Sequence, residues 1–517
     1  MTTWDDETDV IVAGSGGGLV GAYTAAREGL SVMVVEASEL FGGTTAYSGG
    51  GGMWFPCNPV LRRAGSDDTL DDAFAYFHAA VGDRTPVESQ RAYVYGGPEL
   101  IAYLESDDHF EFDVLPWPDY YGRLPHARLD GMRHTVSKPL RAERLGDLAD
   151  QIRGPLDRER LGAPTPKYLS GGRALIGRLL SAITSYPHAS VHLNSPLVEL
   201  VTSDGRVVGA VVEQDGRRRA IRANVGVLLA AGGFENNPAL RQRFGVPGDA
   251  RDTMGAPANL GLALEAGIAA GAAIDLMDQA WWSPGFSHPD GRSAFSLWFT
   301  GGIFVNQDGS RFVNESAPYD RIGKAIIEQM SSGAMTLPFW MIYDDREGLV
   351  PPVKATNVSM VEPEQYVAAG LWHTADTLPE LAAKIGVNAD NLVETVKRYN
   401  EFVIAGVDDD FGRGDEAYDR AFSGGQSPMA AVDTAPYHAA AFGLSDLGTK
   451  GGLVTDSQAR VLDADGNPIA GLYAAGNTMA AVTGTVYPGG GIPIGASMLF
   501  SHLAALDMTT RISPRRN

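Results

Sequence analysis

The residues best placed for chemistry are a phenol and a run of glycines near the C-terminus: Gly484-Thr485-Val486-Tyr487-Pro488-Gly489-Gly490-Gly491-Ile492-Pro493-Ile494-Gly495. They lead into an apolar run, 496–506, that reads as a helix. A helix start offers unpaired backbone N–H groups and a partial positive charge. Glycine lets another molecule come close to that backbone. The segment is therefore suited to something electron-rich, with a phenol beside it.

A second glycine turn lies near the N-terminus. A β-branched run, 9–13, meets Gly14-Ser15-Gly16-Gly17-Gly18, a helix-like stretch 19–28 and a strand 31–35 closed by Glu36. This is a βαβ unit with a dinucleotide fingerprint. Gly14 permits the tight turn, Gly16 lets the backbone approach a pyrophosphate at the helix start, and Glu36 is placed to accept from a ribose. The third glycine of the fingerprint is replaced by Leu19, with Gly18 and Gly21 nearby, so helix–strand packing is expected to be arranged differently.

Three elements must gather to make one site. Strands are expected at 207–213, 225–230 and 471–477, and two end at Ala231-Gly232-Gly233 and Gly476-Asn477. One doubly wound sheet would bring these ends and the Gly14 turn to one crevice. The expected fold class is α/β: a Rossmann-like cofactor-binding domain in two pieces, 1–279 and 449–517, with an inserted α+β catalytic domain, 280–448. Five of the eight tryptophans fall in the insertion (Trp281, Trp282, Trp298, Trp340, Trp372). There Thr377-Leu378-Pro379-Glu380 has capping-box spacing, 390–404 reads as a helix, and the acidic run 408–415 reads as a solvated turn.

Composition narrows the function. At 517 residues and 44% hydrophobic the chain suits a large globular core, and a net charge of −22 with no basic cluster excludes a nucleic-acid partner. No stretch of 18 apolar residues exists, so no membrane span is expected. The acidic start lacks a signal-peptide pattern, and a cytoplasmic protein is expected. The one cysteine, Cys57, reads as a small buried filler. No metal-ligand spacing occurs.

Further motifs carry a resemblance. Phe41-Gly42-Gly43-Thr44-Thr45-Ala46-Tyr47-Ser48-Gly49-Gly50-Gly51-Gly52, Ala230-Ala231-Gly232-Gly233-Phe234, Arg311-Phe312-Val313-Asn314-Glu315 and Leu472-Tyr473-Ala474-Ala475-Gly476 resemble the fumarate reductase and 3-ketosteroid dehydrogenase class of flavoproteins, over essentially the whole chain. The resemblance implies non-covalent FAD. Its cofactor contacts would fall on Gly14, Ser15, Gly16, Gly17, Gly18, Glu36, Ala37, Ser38, Gly43, Thr44, Thr45, Ser48 and Gly49. They would continue through Gly50, Gly51, Gly52, Ala231, Gly232, Gly476, Asn477, Pro493 and Ile494.

Within the class, a dicarboxylate site needs arginine clamps. From Gly476 to Ile512 the only cation is Arg511, and the histidine of that branch is replaced in Gly448-Thr449-Lys450-Gly451-Gly452. Instead, Pro116-Trp117-Pro118-Asp119-Tyr120-Tyr121, Asn314-Glu315-Ser316-Ala317-Pro318-Tyr319 and Thr485-Val486-Tyr487-Pro488-Gly489-Gly490-Gly491 resemble the 3-ketosteroid Δ1-dehydrogenase family. That resemblance implies a 3-ketosteroid substrate, steroid catabolism and a quinone-like electron acceptor. Tyr319 would take the C2 proton and Tyr120 would hydrogen-bond to it. Tyr487 and the Gly491 N–H would polarise the C3 carbonyl. The alternatives are a 3-ketosteroid 4-ene (5α) dehydrogenase, another fumarate-reductase-like flavoprotein, or a flavin electron carrier with little turnover. Tyr121, His288, Arg311 and Glu315 read as structural.

Overall fold

The computed structural model describes residues 3–511, which form two compact units. One takes the residues up to Val246, Gly255–Ala280 and those from Gly448 on; the other takes Pro247–Met254 and Trp281–Leu447.

The first unit is built on an eight-stranded sheet. Its order is Arg460–Leu462, Pro468–Ala474, Arg206–Gln214, Arg217–Leu229, Asp6–Ala13, Val32–Val35, Ala189–His192, with Leu197–Ser203 paired to Arg206–Gln214. The runs Val10–Ala13 and Val32–Val35 are buried throughout, as strands covered on both faces must be. Their neighbours pair in parallel, with Ala13 opposite both Leu229 and Val35, and Leu229 opposite Ala474. Three widely separated strands therefore end in one row, as expected for the α/β class.

The helix Gly18–Arg27 follows the first turn and lies against the C-terminal helix Ile492–Thr510. Gly18 and Gly21 supply the close packing that the fingerprint's missing third glycine would give. A Cβ at Gly18 would lie 3.1 Å from a Val12 methyl, and one at Gly21 would lie 2.8 Å from the Ser501 carbonyl oxygen. The C-terminal helix begins at Ile492, four residues earlier than expected. Pro493 sits in its first turn, where proline's missing N–H costs nothing. A small sheet, ordered Gly52–Trp54, His134–Ser137, Phe112–Val114, leads to the Tyr120 loop.

The second unit has a seven-stranded sheet, in order Ile303–Val305, Phe339–Asp344, Tyr437–Thr449, Ala280–Ser287, Ser293–Phe299, Val353–Thr356, with Trp372–Ala375 on Tyr437–Thr449. Helices Leu378–Ile385 and Ala389–Ala405 bury Leu381, Leu392, Val396 and Tyr399 against Ile303, Ile342 and Ala439. The Thr377 hydroxyl caps the first of them through the Glu380 N–H. The acidic run 408–415 is a turn with Asp409, Asp410 and Asp415 exposed as expected, but it is not solvated throughout. Asp408 is buried with its carboxylate 2.8 Å from the Arg311 guanidinium, and the buried Arg413 lies 3.2 Å from Glu315. Two buried cations demand carboxylate partners, and Asp408 supplies one that the sequence pattern disguised.

Candidate active site

The first glycine turn is shaped by contact as much as by conformation. Gly14 has φ +101°, and a Cβ there would come within 2.2 Å of the Ala230 carbonyl oxygen. Helix Gly18–Arg27 starts without a side-chain cap and with no acid in its first turn, which leaves its positive end to an anion. At Gly43, Gly49 and Gly50 no protein atom lies within 4 Å of where a Cβ would be, so the backbone there faces open space. Glu36 is buried. It takes the Ser15 N–H (3.1 Å) and hydroxyl (2.5 Å) on one oxygen and the Ser38 N–H (3.0 Å) on the other. A carboxylate has about four acceptor positions, so one remains for a ribose hydroxyl. These residues fit a dinucleotide.

Other predicted cofactor residues are held by neighbouring protein groups. The Thr44 hydroxyl accepts from the Ala256 N–H (2.9 Å) and the Asn259 amide (3.0 Å). The Ser48 hydroxyl accepts from the Gly51 N–H, and the Ala231 N–H donates to Thr478. Thr45 reaches Gly16: its hydroxyl oxygen is 3.2 Å from where a Gly16 Cβ would be. Gly17 and Gly476 both abut Ser497 of the C-terminal helix. Ala37 follows Glu36 just past the end of strand Val32–Val35, the Asn477 amide nitrogen lies 2.6 Å from the Cβ position of Gly448, and Gly232 abuts Asn259. Pro493 and Ile494 are the second and third residues of the C-terminal helix.

The phenol of the C-terminal segment sits in the same unit. Gly491 is the N-cap of the C-terminal helix, at φ +78°, and a Cβ there would strike the Gly52 carbonyl oxygen at 2.0 Å. Its N–H donates to the Tyr487 hydroxyl at 3.1 Å. The Tyr120 ring stands edge-on to the Tyr487 ring, with centroids 5.3 Å apart, and the Trp117 indole donates to the Tyr120 hydroxyl at 3.3 Å. Tyr120, Tyr487 and Gly491 are thus brought together, and both phenols are buried.

Tyr319 lies in the second unit, as the first residue of helix Tyr319–Ser331, directly after Pro318. Phe295 meets its ring at a right angle, with centroids 4.8 Å apart. The ring lines a cavity with Leu297, Phe299, Ile322, Phe422 and the buried Asp419. Trp298, also on that wall, stacks on Phe422 at 4.5 Å and holds φ +63°, a conformation bulky residues rarely take. Arg311 and Glu315 pair at 2.8 Å within this unit, and His288 bonds the Tyr366 hydroxyl at 3.0 Å. Cys57 is buried, and burial pushes its thiol up to about 11.

Several neighbours of Tyr120 and Tyr487 gave no signal in the sequence. The buried Lys450 donates to the Val486 carbonyl at 2.9 Å, so a cation reaches this segment from a distant position. Asp119 is buried between the Trp54 indole (2.8 Å) and the Arg133 guanidinium (2.7 Å), and Arg133 also binds Asp68. The His134 imidazole faces the backbone of Trp117 and Gly490; burial, with the Arg133 charge, holds it down at about 3. Asp119 and Lys450 stand in stretches quoted from the sequence, but nothing in those stretches gave either a role.

Known proteins converge on the same picture. The FAD binding domain family matches residues 9–494. The chain is 36% identical to the 3-oxosteroid 1-dehydrogenase of Mycolicibacterium smegmatis, over 99% of this chain and 98% of that protein. It is 37% identical to the 3-oxosteroid 1-dehydrogenase of Mycobacterium tuberculosis, over 98% of this chain and 99% of that protein. Its fold is similar to the crystal structure of 3-ketosteroid Δ1-dehydrogenase from Sterolibacterium denitrificans in complex with 1,4-androstadiene-3,17-dione. The TM-score is 0.89 at 31% identity, covering 98% of this chain and all (100%) of that one. Among the described residues no helix is long and apolar enough to cross a membrane.

Proposed function

The chain belongs to the 3-oxosteroid 1-dehydrogenase family of FAD-binding flavoproteins, and from that premise we propose how its residues perform the reaction. It removes two hydrogens across C1–C2 of a 3-ketosteroid. FAD, held without a covalent bond, would sit on the Gly14–Gly18 turn beside Glu36 and would supply the acceptor for the hydride from C1. The observation that carries this reading is the bond between the Gly491 N–H and the Tyr487 hydroxyl, beside Tyr120, at a helix start.

A C–H beside a ketone becomes acidic only when the developing enolate oxygen is stabilised. The Tyr487 hydroxyl donates a hydrogen bond to the C3 oxygen. The Gly491 N–H, by donating to the phenol, strengthens that donation, since chained hydrogen bonds polarise one another. A donor of this kind is worth about 2.7–4 kcal/mol in a site closed to water. Tyr319 takes the C2 proton. Its phenol starts from a reference pKa near 10, and a hydrogen bond donated to the phenolate favours the charged form. A steroid needs mainly apolar walls, with the ketone as the polar handle, and Phe295, Leu297 and Phe299 supply apolar surface beside Tyr319.

The electrons pass on to a quinone-like acceptor, and the enzyme works in the cytoplasm, in steroid breakdown. Anaerobic addition of 4-androstene-3,17-dione is expected to bleach the flavin and yield the 1,4-diene. Reoxidation by a soluble naphthoquinone tests the acceptor. A flavin that no 3-ketosteroid bleaches overturns the reading.

A further inference from the structure

One carbonyl oxygen ties together three distant parts of the first unit. The Pro488 carbonyl accepts from the Tyr120 N–H at 2.9 Å and from the Tyr76 hydroxyl at 2.6 Å. The same Tyr76 oxygen accepts the Tyr121 N–H at 3.2 Å. Tyr76, from helix Leu70–Val81, is fully buried, and burial raises its phenol well above the ordinary value, so it stays a neutral donor. Its ring is packed against the Arg133 guanidinium at 5.3 Å. Pro488 directly follows Tyr487, and Tyr121 directly follows Tyr120. A bridge at Tyr76 therefore fixes one phenol relative to the other.

We propose that Tyr76 is a positioning residue for the ketone-polarising pair: its hydroxyl clamps the Tyr120 loop to the Tyr487–Gly491 turn. This rests on the function proposed above. The bonds of the clamp run between Tyr76, Pro488 and Tyr121. Its effect is on geometry, and small misplacements of reacting groups, about 1 Å, cost on the order of 10²-fold in rate.

The test is Tyr76→Phe, which keeps the ring and removes only the bridge. With 4-androstene-3,17-dione, kcat is expected to fall roughly tenfold or more, below that 10² ceiling, with flavin content and KM held. In a Tyr487→Phe background the same change should cost less than about 2-fold, because coupled residues are not additive. Equal losses in both backgrounds, or a wild-type kcat, overturn the clamp. Hydrogen exchange without steroid gives a reading independent of substrate. Segments 117–125 and 484–495 should exchange roughly 3- to 10-fold faster, the factor of one lost hydrogen bond. Unchanged exchange in both segments overturns the proposal. A wild-type chain that no 3-ketosteroid bleaches sinks the proposed function, and exchange then decides the clamp alone.

Discussion

Tyr487 and Tyr319 stand close to helix starts, and their surroundings differ in kind. Tyr487 is held by polar bonds: the Gly491 N–H on its oxygen, and a following carbonyl gripped by Tyr120 and Tyr76. Around Tyr319 the ring contacts are aromatic, with Phe295 against it and Trp298, Phe299 and Phe422 on the same cavity wall. A donor that must point at a developing charge needs fixed direction, which hydrogen bonds give. A base must change its protonation state in every turnover. The Phe295 contact grips its ring whichever state the hydroxyl is in. The difference between the two regions follows from what each phenol is asked to do.

The sharpest way to break this comparison is to remove each hydroxyl in turn. Tyr319→Phe is expected to lower kcat by about 10²–10⁴-fold, the range for a general base, while the protein stays yellow. A kcat within roughly 3-fold of wild type would remove Tyr319 from the reaction. Tyr487→Phe comes next, at about 10²–10³-fold in kcat. Because its donation matters most as charge develops, kcat should fall more than KM rises. A change in KM alone would make Tyr487 a binding contact and erase the distinction drawn above.

Legibility in the sequence followed the range of the pattern. The βαβ unit was readable because strand, turn, helix and Glu36 are contiguous, and Gly18–Arg27 and Val32–Val35 fall within a residue of expectation. The tyrosine motifs were readable as resemblance. The helix start at Ile492 was misplaced because Pro493 looks like a breaker, although the first helical turn tolerates proline. Asp408 was misread because its acidic neighbours are exposed and its partner lies 97 residues away. Tyr76, Arg133 and His134 were invisible for the same reason. Their contacts with Pro488, Asp119 and Gly490 exist only after folding, and no local period encodes them.

The smallest effect separates the two regions by the sign of a pH dependence. His134, near the Tyr487 turn, is held neutral, at about 3, first by burial and then by the Arg133 charge. An unfolded chain binds that proton below about 6.5. Its stabilising contribution is therefore complete above 6.5 and is lost as pH falls toward 3, at up to about 1.4 kcal/mol per pH unit. Asp419, on the cavity wall with Tyr319, titrates the other way. Burial raises its carboxyl, against bonds from the Asn314 amide and the Gly414 N–H. Its contribution is complete below the unfolded value near 3.9 and is lost as pH rises through the folded one. Denaturant midpoints measured across pH should show His134→Asn removing a rise in stability between about pH 3 and 6.5 and Asp419→Asn removing a fall above about pH 4. If both substitutions changed the slope in the same direction, the two regions would not differ in buried charge as their geometry requires.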